Sequence, residues 1–520
     1  MQNVHTQQPG MGAAETLATA VCTHDRREAL RVGGVSYTYR ELLARIVDYQ
    51  ALARRCGLSP ADTVLFVGDP GIDSYACLLA GIFGSYTASL ISAAMPIPVL
   101  TRIMRNLDPR IVITTVRDVL PAIDGYRIVD VRDVGRASAT DLVVADAPHA
   151  YQSLTSGTTG QPTRALADAA GLGQFLLWAA DYLELTPSDR WFEGSDPSAD
   201  FALTNALLAF ATGASLAVPI GRQRLRAATL AAMNDTTVMR LVPSVGSLML
   251  AEALRRRIAM PRLRLLAFGG DDLPIALPYQ ILSRFQSGAR TLNTYGMTET
   301  VGFVLCHWFD ATRPPVGSPS AGIPLGRPVP GVQAWIAPLG EDGDAPTDGP
   351  LSTGELVIES AAVALEVRAG HGELLLRKSG PGARGELRTG DMACRADGSF
   401  VFQGRIDRTA KIRGMRVNLA HADKLLAESL GKNVCVLEKG GNIVIMVESS
   451  RKISYSELTG SVGDLLQNTL IPKSIITLPK LPRTRTGKVS IAECEAIAYS
   501  RPCIGDDRHG TCAENFSSGV

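Results

Sequence analysis

Thr63-Val64-Leu65-Phe66-Val67 is a short apolar run rich in β-branched residues, set between two stretches of helical periodicity, Tyr39 to Arg55 and Asp73 to Tyr86. A second run, Arg110-Ile111-Val112-Ile113-Thr114, follows. Strands alternating with helices argue for parallel α/β layers. The alternation extends from Val35 to Ala147 and resumes from Gly171 to Thr300. There, Arg264-Leu265-Leu266-Ala267-Phe268 reads as a buried strand ending in Gly269-Gly270. A helix is expected over Pro274 to Phe285, with the proline at its first position. The fold class is α/β.

From Val316 to Asp407 the texture changes to short strands, Val332 to Ile336, Gly354 to Glu359 and Ser399 to Gln403, separated by Gly/Pro/Asp turns. This predicts a β-rich subdomain, with Gly380 to Gly385 as a surface loop. After Gly404 come a basic stretch, a helix over Ala420 to Leu430, strands over Asn433 to Glu438 and Asn442 to Val447, and a second helix. That is enough for a compact α+β unit of about 100 residues. The boundary falls at Arg405 to Arg408. It divides a large N-terminal core, 1–404, from a small C-terminal domain, 405–500, and a small polar tail, 501–520, is expected to be disordered.

At 520 residues the chain exceeds what one hydrophobic core organises. Its 52 basic and 51 acidic side chains nearly cancel, so no nucleic-acid partner is implied. The arginine clusters Arg102 to Arg110 and Arg255 to Arg264 are interrupted by apolar residues and read as solvated faces. Nine cysteines are scattered without C-x-x-C pairs or metal-ligand spacing, which fits a reducing, cytoplasmic setting. Met1 to Ala14 lacks a signal-peptide pattern, and no run of about 18 apolar residues occurs, so neither export nor a membrane span is expected.

The sharpest local feature is Leu154-Thr155-Ser156-Gly157-Thr158-Thr159-Gly160-Gln161-Pro162. Hydroxyls and glycines alternate, so backbone N–H and side-chain O–H donors can converge on phosphate oxygens. It is not a P-loop, because Gly160 is followed by Gln161 where that motif needs lysine. Alone, such a run is more often a turn or linker than a phosphate site. Four further motifs follow in order: Asn293-Thr294-Tyr295-Gly296-Met297-Thr298-Glu299, Arg388-Thr389-Gly390-Asp391, Gly404-Arg405-Ile406-Asp407 and Pro482-Arg483-Thr484-Arg485-Thr486-Gly487-Lys488. With Tyr37 to Leu42 and Gly326-Arg327-Pro328, the set resembles the adenylate-forming superfamily of acyl-CoA synthetases, luciferases and nonribosomal adenylation domains over nearly the whole chain.

The resemblance implies ATP and Mg²⁺ as cofactors. It assigns Thr155, Ser156, Gly157, Thr158, Thr159 and Gly160 to the phosphates, Gly269, Gly270 and Tyr295 to adenine, Asp391 to the ribose, and Arg405 to the nucleotide. Glu299, beside Thr298, would hold the metal, a hard carboxylate suited to Mg²⁺ that also bridges phosphate oxygens. A turn-capping role is the alternative for Asp391. Lys488 would stabilise negative charge on the transferring group as the acid attacks the α-phosphorus. Outside this pattern it would be a solvated lysine. Because Lys488 lies in the small domain, the domains must close and rearrange, with Asp407 as hinge.

Family members that activate amino acids carry an aspartate at a helix start that pairs with the substrate ammonium, and Asp200 matches that place. An aspartate on an otherwise apolar helix needs a partner, and a ligand cation is one. An N-cap for the helix Phe201 to Phe210 is the alternative. The same alignment sets Phe201, Thr204, Arg240, Ala267, Gly269, Thr294, Gly302 and Phe303 around the side-chain pocket. Arg240, flanked by Val238, Met239, Leu241 and Val242, wants a carboxylate. This points either to an amino acid with a second anionic or strongly polar group or to a structural pair with a protein carboxylate.

The chain departs from the pattern at Thr163-Arg164, where the family has lysine, at Ala199, and at Asn418 and His421. No carrier signature or condensation motif follows Lys488, so a free-standing ligase delivering to a carrier-protein phosphopantetheine in trans is expected. An acyl-CoA or aryl-acid synthetase and a degenerate nucleotide-binding scaffold are the rivals.

Overall fold

The structure, a computed structural model, describes residues 12–95, 97–116, 126–137, 141–145, 147–155, 163–195, 199–310, 323–338, 353–369, 372–412, 415–439, 442–454, 457–458, 472–484 and 489–500. The side chains of 155, 222, 225, 407, 409–412, 415–418, 421 and 425 are not among those described. Two units are distinguished, the first covering most of the chain to residue 402 and the second built mainly from residues after 403.

In the first unit Thr63–Val67 forms the expected strand, with Thr87–Ile91 parallel on one side and Ile111–Thr114 parallel on the other. The helix Tyr39–Arg55 starts where a capping box forms. The Thr38 hydroxyl accepts the Glu41 N–H at 3.2 Å, and the Glu41 carboxylate accepts the Thr38 N–H at 2.7 Å. The next helix, Ile72–Ile82, stops short of Tyr86, because Gly84 turns the chain at φ +88° and a Cβ there would come within 2.8 Å of the Ala145 carbonyl. The helix read from Pro274 runs over Ala276–Phe285. Pro274 stands ahead of it, its carbonyl accepting the Leu277 N–H at 2.9 Å.

A second sheet carries Ser215–Val218, Arg190–Phe192, Val238–Leu241, Leu265–Gly269 and Arg290–Tyr295 side by side and parallel. Leu305–Phe309 pairs antiparallel with the last of these. In such sheets ligands bind outside the carboxyl ends of the strands. Here those ends are Phe192-Glu193, Leu241, Gly269-Gly270 and Tyr295-Gly296. The helix Asp200–Ala211, buried from Phe201 to Phe210, is apolar nearly all round and belongs to the core.

The arginine-cluster reading is corrected at Arg264. Its fork grips Asp189, 2.8 Å from Nε to Oδ1 and 2.5 Å from Nη2 to Oδ2, and Asp189 is buried. This is a bidentate structural pair rather than a solvated charge.

The second unit has a three-stranded sheet of Val434–Lys439, Asn442–Glu448 and Pro472–Leu478, with helices Leu419–Leu430 and Ile491–Ser500. Strand alternation sorts its core into two faces. Val434, Val436, Ile443, Ile445 and Val447 pack with Leu419 and Leu426, while Cys435, Leu437, Val444 and Met446 pack with Cys494 and Ala498.

Candidate active site

Asp200 is the first residue of its helix and Ala199 the cap residue, so the N-cap reading gives way to a different geometry. The half-buried Asp200 carboxylate accepts the N–H of Phe201 at 2.8 Å and the Thr298 hydroxyl. Burial raises its pKa above the ordinary value of 3.8, against the pull of the Phe201 N–H, the Arg240 charge and Thr298.

Arg240, 4% exposed, lies on the strand Val238–Leu241 beside that helix. Its Nη1 donates to the Thr204 hydroxyl at 3.1 Å and to the Asn205 side-chain Oδ1 at 3.0 Å, and its Nε to the Thr294 hydroxyl at 3.3 Å. The guanidinium carbon lies 3.9 Å from the Phe201 ring centroid and 5.3 Å from that of Phe303. Burial lowers its pKa to about 10, with Asp200, Glu193 and Tyr151 holding it up, so it stays a cation at neutral pH. Of the two readings of Arg240, a direct pair with a protein carboxylate is not what is found: its hydrogen bonds among the described residues go to neutral side chains.

Glu193, Asn205 and Tyr151 join this cluster without having been singled out in the sequence. The Asn205 amide donates to Glu193 at 2.7 Å and to the Arg240 carbonyl at 3.1 Å, and so relays a buried carboxylate to a buried cation. Glu193, 1% exposed, also accepts the Ser195 N–H at 2.6 Å, and burial raises its pKa. The available signals were a glutamate directly after the apolar Trp191-Phe192 and an asparagine on a largely apolar helix.

Tight backbone packing fixes the rest of the wall. A Cβ on Gly269 would lie 2.5 Å from the Thr294 carbonyl oxygen, and one on Gly302, at φ +71°, would lie 2.3 Å from the Phe175 ring. Gly270 also takes a positive φ, +75°, where the strand turns out of the sheet. Thr294 donates to the Phe268 carbonyl at 2.7 Å, and Phe303 meets Phe175 and Trp178 edge-on. Tyr295, half-buried, ends its strand and leads into the turn holding Thr298 and Glu299. That turn is closed by Thr300, which donates from N to the Met297 carbonyl at 2.9 Å and accepts the Met297 N–H at 3.2 Å. The Glu299 carbonyl accepts the Ala364 N–H at 2.9 Å.

In the second unit Asp391, 7% exposed, accepts Arg405 Nη1 at 2.9 Å. Gly390, at φ +69°, lets that guanidinium lie close: a Cβ would stand 3.1 Å from Nη2. Asp407 sits in a single 3₁₀ turn, Ile406–Arg408. Thr155 closes the strand His149–Thr155, opposite Thr163 on the antiparallel neighbour. Ser156, Gly157, Thr158, Thr159, Gly160 and Lys488 lie outside the described residues.

No group of three His, Cys, Asp or Glu side chains suited to a metal occurs among the described residues. Mg²⁺ held by one or two carboxylates plus substrate phosphates needs no such cage, and Glu299 in its clamped turn fits that role. No described helix is long and apolar enough to cross a membrane.

Residues 17–366 match the family model described as AMP-binding enzyme. The chain is 29% identical over 511 residues to the non-ribosomal peptide synthetase CmlP of Streptomyces venezuelae, covering 93% of this chain and 50% of that protein. It is 31% identical over 394 residues to the novobiocin biosynthesis protein H of Streptomyces niveus, covering 73% of this chain and 60% of that one. It thus spans little more than half the length of these relatives. A solved structure of Klebsiella oxytoca NpsA with 3-hydroxyanthranilyl-AMSN matches at TM-score 0.78 and 19% identity, over 94% of this chain and 99% of that one, and shows the fold.

Proposed function

From the premise that this chain belongs to the AMP-binding enzyme family, the adenylate-forming ligases that use ATP with Mg²⁺, we propose that it activates an amino acid as the aminoacyl adenylate and passes it to the phosphopantetheine thiol of a carrier protein. The observation that carries the reading is Asp200. It is a carboxylate at the carboxyl-end side of a parallel sheet, with no cation within ion-pair distance among the described residues. A substrate ammonium supplies that cation.

Charge supports this choice of acid. Glu193 and Asp200 against Arg240 leave the cluster one negative charge in excess when all three are ionised. An α-ammonium brings it to balance, whereas an acid without one adds no compensating charge. In the adenylation step the substrate carboxylate oxygen attacks the α-phosphorus and pyrophosphate leaves. Glu299 would hold Mg²⁺, which neutralises phosphate charge when bound; Tyr295 and Gly269-Gly270 would receive the base, and Asp391 the ribose hydroxyls. Lys488 would face the transferring group.

ATP–pyrophosphate exchange over amino, aryl and fatty acids tests the reading. Exchange is expected with an amino acid and is expected to fall at least roughly a hundredfold in Asp200→Ala, the loss of a buried charge pair. Exchange supported by aryl or fatty acids alone, undiminished in that variant, would assign the chain to acid–coenzyme A ligation instead.

A further inference from the structure

Three guanidinium nitrogens of Arg240 have different fates. Nε and Nη1 are committed to Thr294, Thr204 and Asn205. Nη2 has no partner among the described residues, yet it is not one of the sealed, unbonded nitrogens of the core. The head group is immobilised from three sides: Phe201 stacks on it, Phe303 lies against it, and Asn205 is itself anchored by the buried Glu193. A donor fixed this way, with no partner among the described residues, is arranged to meet an acceptor.

We infer that Arg240, positioned by Glu193 and Asn205, selects an amino acid whose short side chain ends in a neutral hydrogen-bond acceptor, a hydroxyl or a carboxamide. This rests on the amino-acid reading above. The acceptor follows from the open Nη2. Shortness follows from position, because the guanidinium covers the ring of Phe201, the residue next to the carboxylate that receives the ammonium. Neutrality follows from charge. With Asp200 and Glu193 ionised, the form favoured by the donors each accepts, these two and Arg240 sum to zero with the substrate ammonium, Tyr151 being held neutral by burial, and a side-chain carboxylate would leave a negative charge unmatched.

The test is pyrophosphate exchange by the whole chain with serine, threonine, valine, asparagine, aspartate and leucine. The best substrate is expected among serine, threonine and asparagine. The preferred acceptor should exceed its isostere, threonine over valine or asparagine over both leucine and aspartate, by roughly tenfold or more in kcat/KM, the worth of one hydrogen bond to a charged group. Arg240→Met should bring polar and apolar isosteres to within about threefold. Glu193→Gln removes the charge together with one of the two acceptor oxygens that take the Ser195 N–H and the Asn205 amide, so it should lower the asparagine-to-aspartate ratio about tenfold, a change in the ratio of substrates that a loss of structure common to both would not produce. Valine or leucine as best wild-type substrate, aspartate ahead of asparagine, or an isostere preference that survives Arg240→Met would overturn the inference while leaving amino-acid activation standing. Exchange with no amino acid would overturn both. If either variant fails to fold, the wild-type isostere comparison decides alone.

Discussion

Asp200 shows how one side chain can carry two legible facts. Its helix is apolar nearly throughout, so a carboxylate at its start asks for a cation, and burial raises its pKa while the Phe201 N–H, Arg240 and Thr298 oppose the rise. The sign of the pH effect follows. Pairing with an ammonium requires the ionised carboxylate, so the apparent KM for the amino acid should rise as pH falls through the raised pKa. That dependence should vanish in Asp200→Asn. For stability the linkage runs the other way. A carboxyl with a raised folded-state pKa contributes stability that is fully present below its ordinary value of 3.8 and is lost as pH climbs through the folded value. Substrate binding offsets that loss. A KM profile flat in pH in the wild type, or unchanged in Asp200→Asn, contradicts the role.

The same scale shows what escaped the sequence. Arg240 stood out because a charge interrupts an apolar run, but its partners did not: Glu193 lies just past a three-residue strand, and Asn205 on a helix whose periodicity names no polar face. Only folding brings residues 193, 205 and 240 within hydrogen-bond reach.

At the scale of elements, β-branched runs were read almost to the residue, because strand character is written locally: Thr63–Val67 and the helix Tyr39–Arg55 have the expected bounds. Ends set by tertiary contact were not, as at Gly84, where the Ala145 backbone closes over the turn. The elements that fix Glu299 depend on another contact invisible in one dimension. Lys378 and Asp168, both fully buried, form an ion pair; Lys378 also donates to the Ala361 carbonyl at 2.9 Å, and Asp168 accepts N–H groups from Ala170 and Gly382, each at 2.9 Å. That network holds segment 361–364, which bonds Val301 and the Glu299 carbonyl. Removing one partner of a satisfied buried pair costs about 3–5 kcal/mol, so Lys378→Met should lower the chemical-denaturation midpoint accordingly. Lys378→Met together with Asp168→Asn, which removes the partner charge and keeps a side-chain acceptor for the Ala170 N–H, should recover much of the loss. Equal destabilisation by the single and double variants would show that the pair does not act as a unit.

Across the whole molecule, the proposed function puts rate and recognition in different parts of the chain. The residues proposed to recognise the acid, Asp200, Arg240 and their neighbours, all belong to the first unit, whereas Lys488 belongs to the second. An ammonium set against the transferring adenylyl group would stabilise charge that develops only in the transition state, so it should contribute to kcat and little to ground-state binding. Lys488→Ala is therefore expected to lower pyrophosphate exchange by about 10²–10³-fold, the range seen when one preorganised donor is removed. The thermal shift produced by the amino acid with a non-hydrolysable ATP analogue should remain near the wild-type value, since stabilisation by a ligand depends on its concentration relative to Kd. Asp200→Ala should show the converse pattern, with the amino-acid-dependent part of the shift lost and the shift from the nucleotide analogue alone retained. If Lys488→Ala abolished the thermal shift together with the exchange, the lysine would be a binding residue rather than a transition-state one. If exchange survived intact, the separation of roles between the two units would have to be abandoned.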